Sequence, residues 1–431
     1  MGVNQDSVES AWLTGLTVLD FTDERGLLAG QMFARLGADV IQVEPLEGSP
    51  ARKVGPFSET LPPGENSYVW QAFAAGKRGV ALHPSDPAAR MHLSELVKSA
   101  DFLIESGGGA LEQFGLTAAD ARSINPALIT VGITAYGEDG PKAGNAATDL
   151  TLWAASGAIF PSRDGASQPV GPSVPQAWLH AATDAACGAM IAHFARKRSG
   201  RGQHVSIAAV TSLAAATLSY ILHEPIGHDN YIETLGLDAP RRMNKDNLDM
   251  SGSGSRSRRN KWELKDGILE MNLALGAAAG RFTNNLMAWL REEGALSEQF
   301  AEWDWVTLPE KLVSEEIDVD LVEVVREEVA NHLRKFTKQE ILQVALDKKL
   351  LLSPIMTVAD LVSEPHHFER GNLLRQEETG APVMLVGAFA KNLPAVTLRP
   401  APRLGQHNAE ILEGRGGDAG RETALQTGGT Q

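Results

Sequence analysis

The chain has 431 residues, 43% of them apolar, and a net charge of −15 spread along its length. It is too long for one ordinary domain and apolar enough for a large core, and its diffuse negative charge argues against nucleic acid or an anionic membrane as partner. One cysteine, Cys187, excludes an intramolecular disulfide and a cysteine-based metal cluster.

The first third alternates strand and helix. Leu16–Phe21 reads as a buried strand and Leu27–Leu36 as a helix stopped by Gly37. Asp39–Val43, closed by Glu44-Pro45, is a second strand, and Gly79–Leu82 a third. Asp86 caps a helix with Pro87 in its first turn; Ala89, Leu93, Leu96, Val97 and Ala100 repeat at helical spacing. Asp101–Ile104 and Leu128–Ile133 are the next strands. Short apolar strands between amphipathic helices predict an α/β fold, with a parallel sheet covered on both faces. Ligands bind such sheets beyond the carboxyl ends of the strands, which directs attention to Asp23-Glu24-Arg25, Glu44-Pro45, Ser106–Gly109 and Thr134 onward. The turn after the first strand, Thr22–Gly26, lacks the Gly-x-Gly-x-x-Gly of a dinucleotide site. No Gly-Lys-Ser/Thr phosphate loop and no His-Glu-x-x-His spacing occurs, and no metal is expected.

After the fifth strand comes a loop, Gly140–Ala147, then Thr148 and Asp149 at the start of an apolar helix, Leu150–Ile159. A carboxylate at a helix N-terminus beyond a strand can present a nucleophile; its plainer role is a helix cap. A long helix covers Trp178–Lys197 and ends in a basic, glycine-stopped run, Arg196–Gln203. Cys187, among Ala185, Ala186, Gly188 and Ala189, reads as a small buried packing residue. Composition changes near residue 225. Met250–Asn260 is rich in glycine and serine, a linker or a mobile lid whose N–H groups face a negative intermediate. Trp262–Met271 reads as a hairpin turning at Asp266-Gly267. Helices follow over Gly280–Glu292 and Asp320–Leu333, and another starts at Thr337 with Glu340 completing a capping box. The residues after Gly414 read as a frayed tail. The N-terminus lacks a signal-peptide pattern and no stretch reaches the length of a membrane span, so a cytoplasmic enzyme is expected.

In order along the chain stand Thr17–Phe21, Leu36–Pro45, Gly76-Lys77-Arg78, Ala100–Glu105, Ser199–Gln203, Lys265-Asp266-Gly267 and Arg399–His407. Together these resemble the class III CoA-transferases, of the formyl-CoA transferase and carnitine CoA-transferase type, from Leu16 to about Leu412. The resemblance implies a Rossmann-like large domain built from both chain ends, residues 1–224 and 346–431, and a small α+β domain, 225–345, with the lid at its start. It also implies ring-like subunits interlocked in a homodimer; a heteromer with a sister subunit is the alternative. It places the nucleophile on Asp149 and CoA contacts on Glu24, Arg25, Lys77, Arg78, Ser106, Gly107, Gly108, Ala135 and Tyr136. Gly252 and Gly254 would supply lid N–H groups to oxyanions. CoA thioesters and free carboxylic acids are the implied substrates, with no tightly bound cofactor.

The chain departs from the family pattern at Glu24, where the formyl-CoA enzyme has an assisting glutamine, and at Gly76, Ser106-Gly107 and Gln113. The implied chemistry is an aspartyl anhydride that becomes an aspartyl-CoA thioester and is then returned to an acceptor acid. The 2-methylacyl-CoA racemase branch needs a base on each side of the alpha carbon. Its histidine position here is Thr148, and Asp184 and His180 lie only near the second base. The stretch Gly276–Gly294, with Arg281, Asn284 and Trp289, resembles the benzylsuccinate-type branch and points to succinyl-CoA as donor.

Overall fold

Six apolar runs pair side by side in a single parallel sheet in the computed structural model of the protein, which describes residues 11–159, 171–216, 260–376, 383–387, 396 and 398–413. The strands are β1 (Thr17–Phe21), β2 (Asp39–Pro45), β3 (Arg78–Leu82), β4 (Phe102–Ser106), β5 (Ile129–Thr134) and β6 (His204–Ala208). Their order is β3-β2-β1-β4-β5-β6, so the winding reverses between β1 and β4. A crevice opens at the carboxyl ends of the strands at such a reversal.

Alternation along each strand divides the apolar residues between two faces. Val18, Val40, Phe102, Ile104, Val131 and Ile133 pack with α1 (Leu27–Arg35), α5 (Asp149–Ala155), α6 (Ala177–Ser199) and α7 (Ala209–Ala216). Leu19, Phe21, Ile41, Val43, Val80 and Leu103 pack with α3 (Pro87–Ser99) and α4 (Ala118–Ile124). The short α2 (Tyr68–Phe73) lies between β2 and β3 in sequence. Residues from the far end of the chain cover the free edge of β3. Gly79 N–H donates to His407 Nδ1 at 3.0 Å, and Asn408 pairs with both Ala81 backbone groups at 2.9 Å. An exposed strand edge is thereby closed.

Two compact units divide the chain. The described residues within 1–162, 167–229 and 365–431 form one; those within 230–364 form the other. The second unit has an antiparallel sheet of β7 (Lys261–Glu263), β8 (Ile268–Met271) and β9 (Leu352–Pro354). Helices α8 (Gly276–Glu292), α9 (Leu308–Val313), α10 (Asp320–Leu333) and α11 (Lys338–Lys348) bury Trp262, Trp289, Phe300 and Trp305 against it. The hairpin and the Thr337–Glu340 capping box fall where the sequence pattern puts them.

Several expectations change. α5 stops at Ala155 instead of running on to Ile159, because Gly157 takes a left-handed φ of +77° that ends the turn. β6 was missed: its start abuts the basic run that reads as a helix stop. Cys187 is exposed, a correction to its reading as buried. On α6 the buried positions include Ala181, Ala182, Ala185, Ala186 and Ala189, and Cys187 falls on the opposite side of the 3.6-residue repeat. Among the described residues no helix is long and apolar enough to cross a membrane. The Gly/Ser stretch through Arg259, with Gly252 and Gly254, and the tail from Gly414 lie outside the described residues.

Candidate active site

Asp149 is the first residue of α5, but the cap is Thr148, whose hydroxyl accepts from Thr151 N–H at 3.3 Å. The Asp149 side chain is therefore not needed at its own helix. It reaches the next long one: Oδ1 accepts from the backbone N–H of Gln176 at 2.8 Å and of Ala177 at 2.6 Å. These are the cap and first residue of the 23-residue α6. Helix-start N–H groups without intrahelical partners, and the positive end of the helix dipole, thus converge on one carboxylate oxygen. The other oxygen, Oδ2, makes no hydrogen bond among the described residues. The residue is half-buried and Leu150 beside it is exposed, so the carboxylate is anchored yet reachable.

The turn after β1 forms the neighbouring wall. Asp23 accepts from Arg25 Nε at 2.9 Å and from the Ser106 hydroxyl at 2.8 Å, and its own N–H donates to Ser106 Oγ at 3.0 Å. Burial pushes the Asp23 pKa up, but the Arg25 hydrogen bond and charge outweigh it, leaving the group below the ordinary carboxylate value. Arg25 Nη1 makes no hydrogen bond among the described residues. Its guanidinium lies 5.8 Å from the centre of the Trp178 ring, in the first turn of α6. Gly107 follows β4 with φ +78°, and a Cβ there would stand 2.1 Å from Arg25 Nη2. Only glycine lets the guanidinium pass. Ala135 and Tyr136, beyond β5, pack against the same core as Trp153 and Trp178. Gly108 faces open space. Arg25, Ser106 and Gly107 thus form one corner with the start of α6, whose N–H groups hold Asp149, and Ala135 and Tyr136 share its core.

Lys77 and Arg78 are not in that corner. Lys77 is fully buried, and its ammonium donates to Asp20 Oδ2 at 2.7 Å, Leu27 O at 3.0 Å and Gln42 Oε1 at 2.9 Å. A lysine has three donors, so none is left for a phosphate. Burial pulls its pKa below the ordinary lysine value while the Asp20 carboxylate works the other way. Arg78 begins β3 at the amino end of the sheet, paired with Asp39 and Glu410. Glu44 is also structural: it is buried and paired twice with Arg52, whose guanidinium sits 3.8 Å over the Trp70 ring. In the second unit, Asn284 donates to Asp304 and accepts from Trp305 N–H at 2.8 Å, and Trp289 is core. The likeness around Gly276–Gly294 therefore includes packing residues.

The start of α6 was missed as part of the site. The helix reading began at Trp178, one residue past the N–H groups that matter; Pro175, which closes the preceding extended segment, was the available signal.

A family model described as CoA-transferase family III matches residues 13–408. The chain belongs to this family and is a CoA-transferase. It is similar to a succinyl-CoA:(R)-benzylsuccinate CoA-transferase subunit of Thauera aromatica, 29% identical over 403 residues that cover 92% of each chain. A succinate–glutarate CoA-transferase of Agrobacterium fabrum is 26% identical, covering 93% of this chain and 94% of its own. Among solved structures, a CaiB/BaiF family protein from Brucella suis superposes with a TM-score of 0.72 at 23% identity, covering 94% of this chain and 99% of that one. That likeness is one of fold. CoA thioesters are the substrates of CoA-transferases, and among the described residues no cluster of His, Cys, Asp and Glu could hold a metal.

Proposed function

We propose that this CoA-transferase moves CoA between carboxylic acids through covalent intermediates on Asp149. The observation that carries this is the asymmetric carboxylate: one oxygen fixed by two N–H groups, the other without a partner among the described residues. Asp149 attacks the donor acyl carbonyl carbon; the C–S bond breaks and CoA leaves as thiolate, giving a mixed anhydride. The thiolate attacks the Asp149 carboxyl carbon, the donor acid leaves as carboxylate, and an aspartyl-CoA thioester remains. The acceptor carboxylate repeats both steps in reverse and frees Asp149. The Gln176 and Ala177 N–H groups already face Oδ1, so they would stabilise charge on that oxygen in each tetrahedral species at the aspartyl carbon. Gly252 and Gly254 remain the proposed donors for the substrate's own oxyanion.

Arg25, Ser106, Gly107, Gly108, Ala135 and Tyr136 are proposed to line the CoA and acid path, with Arg25 Nη1 meeting an anionic oxygen. Succinyl-CoA is the proposed donor, supported by the names of the Thauera and Agrobacterium relatives. An interlocked homodimer is proposed. α6 is apolar around most of its circumference, yet Ile191 and Phe194 are 65% and 62% exposed, a face that a second copy would cover. The word "subunit" in the Thauera protein's name supports a heteromer as the second reading. The racemase reading finds no support: Thr148 is engaged in its capping box, and His180 and Asp184 are exposed on α6. Incubation with succinyl-CoA followed by hydroxylamine tests the proposal. Asp149 should be recovered as the hydroxamate, and an unlabelled Asp149 in a turning-over enzyme would defeat it.

A further inference from the structure

Two side chains from the end of the chain stand in for a strand along the free edge of β3. Gly79 donates its N–H to His407 Nδ1 at 3.0 Å, and its carbonyl accepts the His407 N–H at 3.0 Å. Ala81 donates to Asn408 Oδ1 and accepts from Asn408 Nδ2, both at 2.9 Å. The approach is close: a Cβ on Gly79 would stand 2.9 Å from Pro402 Cβ. The two anchors differ in chemistry. Asn408 does not titrate. An amide N–H can only donate, so the bond from Gly79 needs a lone pair on Nδ1 and a neutral ring with its proton on Nε2. A second ring proton would face N–H against N–H, and the buried Gly79 donor would lose its acceptor. Among the described residues the charged groups acting on the ring are Arg78 of β3, Glu410 of the same segment and Arg399. Burial pulls the His407 pKa below the ordinary histidine value; Glu410 works the other way, and Arg78 and Arg399 reinforce burial.

We propose that His407 is an acid-released latch: its protonation lifts the segment Gly405–Glu413 and leaves the β3 edge open. Upstream, the same stretch of chain is held by bonds that do not titrate. Gly76 N–H donates to Arg399 O at 2.8 Å, and Pro402 O accepts from Trp70 Nε1 at 3.1 Å and from Arg52 Nη2 at 2.9 Å. The chain therefore stays tethered as far as Pro402 and opens beyond it. Ile411, buried in the same core cluster as Val80 and Leu82, opposes the opening until the proton is taken up. The sign follows from the lowered pKa. The latch is at full strength above the ordinary value of 6.5 and weakens as pH falls from there toward the lowered one. An edge strand stripped of its cover presents unpaired N–H and C=O groups to solvent.

Amide hydrogen exchange on the full chain, expressed as protection factors, tests this between about pH 7.5 and about pH 5. In the wild type the Gly79 and Ala81 amides should lose about tenfold in protection for each pH unit below 6.5, down to the lowered pKa. Gly76, which donates to Arg399 O, should keep its protection and so report that the chain is folded. His407→Asn places an oxygen acceptor near the position of Nδ1 that does not titrate, and should hold Gly79 protected across the range. His407→Phe offers no acceptor and should leave Gly79 unprotected at every pH while Gly76 stays protected. Wild-type protection at Gly79 that persists to about pH 5, an equal acid loss in His407→Asn, or a simultaneous loss at Gly76 would overturn the proposal.

Discussion

Two sets of charged residues are built into one sheet and end in opposite conditions. Lys77 with Asp20 and Gln42, and Arg52 with Glu44, are buried and saturated with partners. Arg25, Glu24 and Asp149, at the carboxyl ends of the strands, each keep an atom that nothing among the described residues meets. Residue type does not separate the two sets, since each holds a cation and a carboxylate. What separates them is whether each residue's hydrogen-bonding capacity is exhausted.

The largest effect that would sharpen this contrast is at Lys77. Lys77→Met strands the Asp20 carboxylate in the core and should cost about 3–5 kcal/mol in urea unfolding, with KM for acyl-CoA unchanged in what remains folded. A raised KM at unchanged stability would make Lys77 a site residue and break the contrast. Arg25→Leu should do the reverse. It should raise KM for an acidic substrate about tenfold to a hundredfold, the scale of a hydrogen bond to a charged group, with stability within about 1 kcal/mol because the Arg25 side chain is 34% exposed. The smallest effect belongs to the second unit. The Lys338 ammonium beside Asp360 holds that carboxyl down at about 2, against an ordinary 3.8. Its contribution is therefore present above 3.8 and is lost as pH falls toward about 2. Asp360→Asn should remove that acid dependence from the unfolding curve and leave transfer rates untouched.

Much of the first unit was legible in the sequence. The β1, β2 and β5 runs are mostly apolar, and buried even at Asp20, Gln42 and Glu44, because the sheet is covered on both faces, and such a run is readable without knowing what lies beside it. β6 was obscured because Arg201-Gly202-Gln203 reads equally well as the end of a helix. α5 reads longer than it is because Ala158 and Ile159 continue the apolar pattern past Gly157. Asp149 was found from its place after a strand and loop and from the family likeness. The N–H groups that hold it were not, because they belong to residues 27 and 28 positions further on and backbone donors leave no mark in a sequence. Glu24 stood out in the sequence as part of the turn after β1 and as a departure from the family; that its Oε2 meets no donor among the described residues is a property of packing.

The measurement that bears most directly on the central claim uses Asp149→Asn. Asparagine keeps an Oδ1 for the Gln176 and Ala177 N–H groups, so the tether to α6 survives while the nucleophilic carboxylate is gone. Acyl-CoA transfer, followed by isotope exchange between a labelled acid and its CoA thioester, should fall by at least about a thousandfold with the unfolding midpoint unchanged. Exchange at a comparable rate in that folded variant would contradict the account.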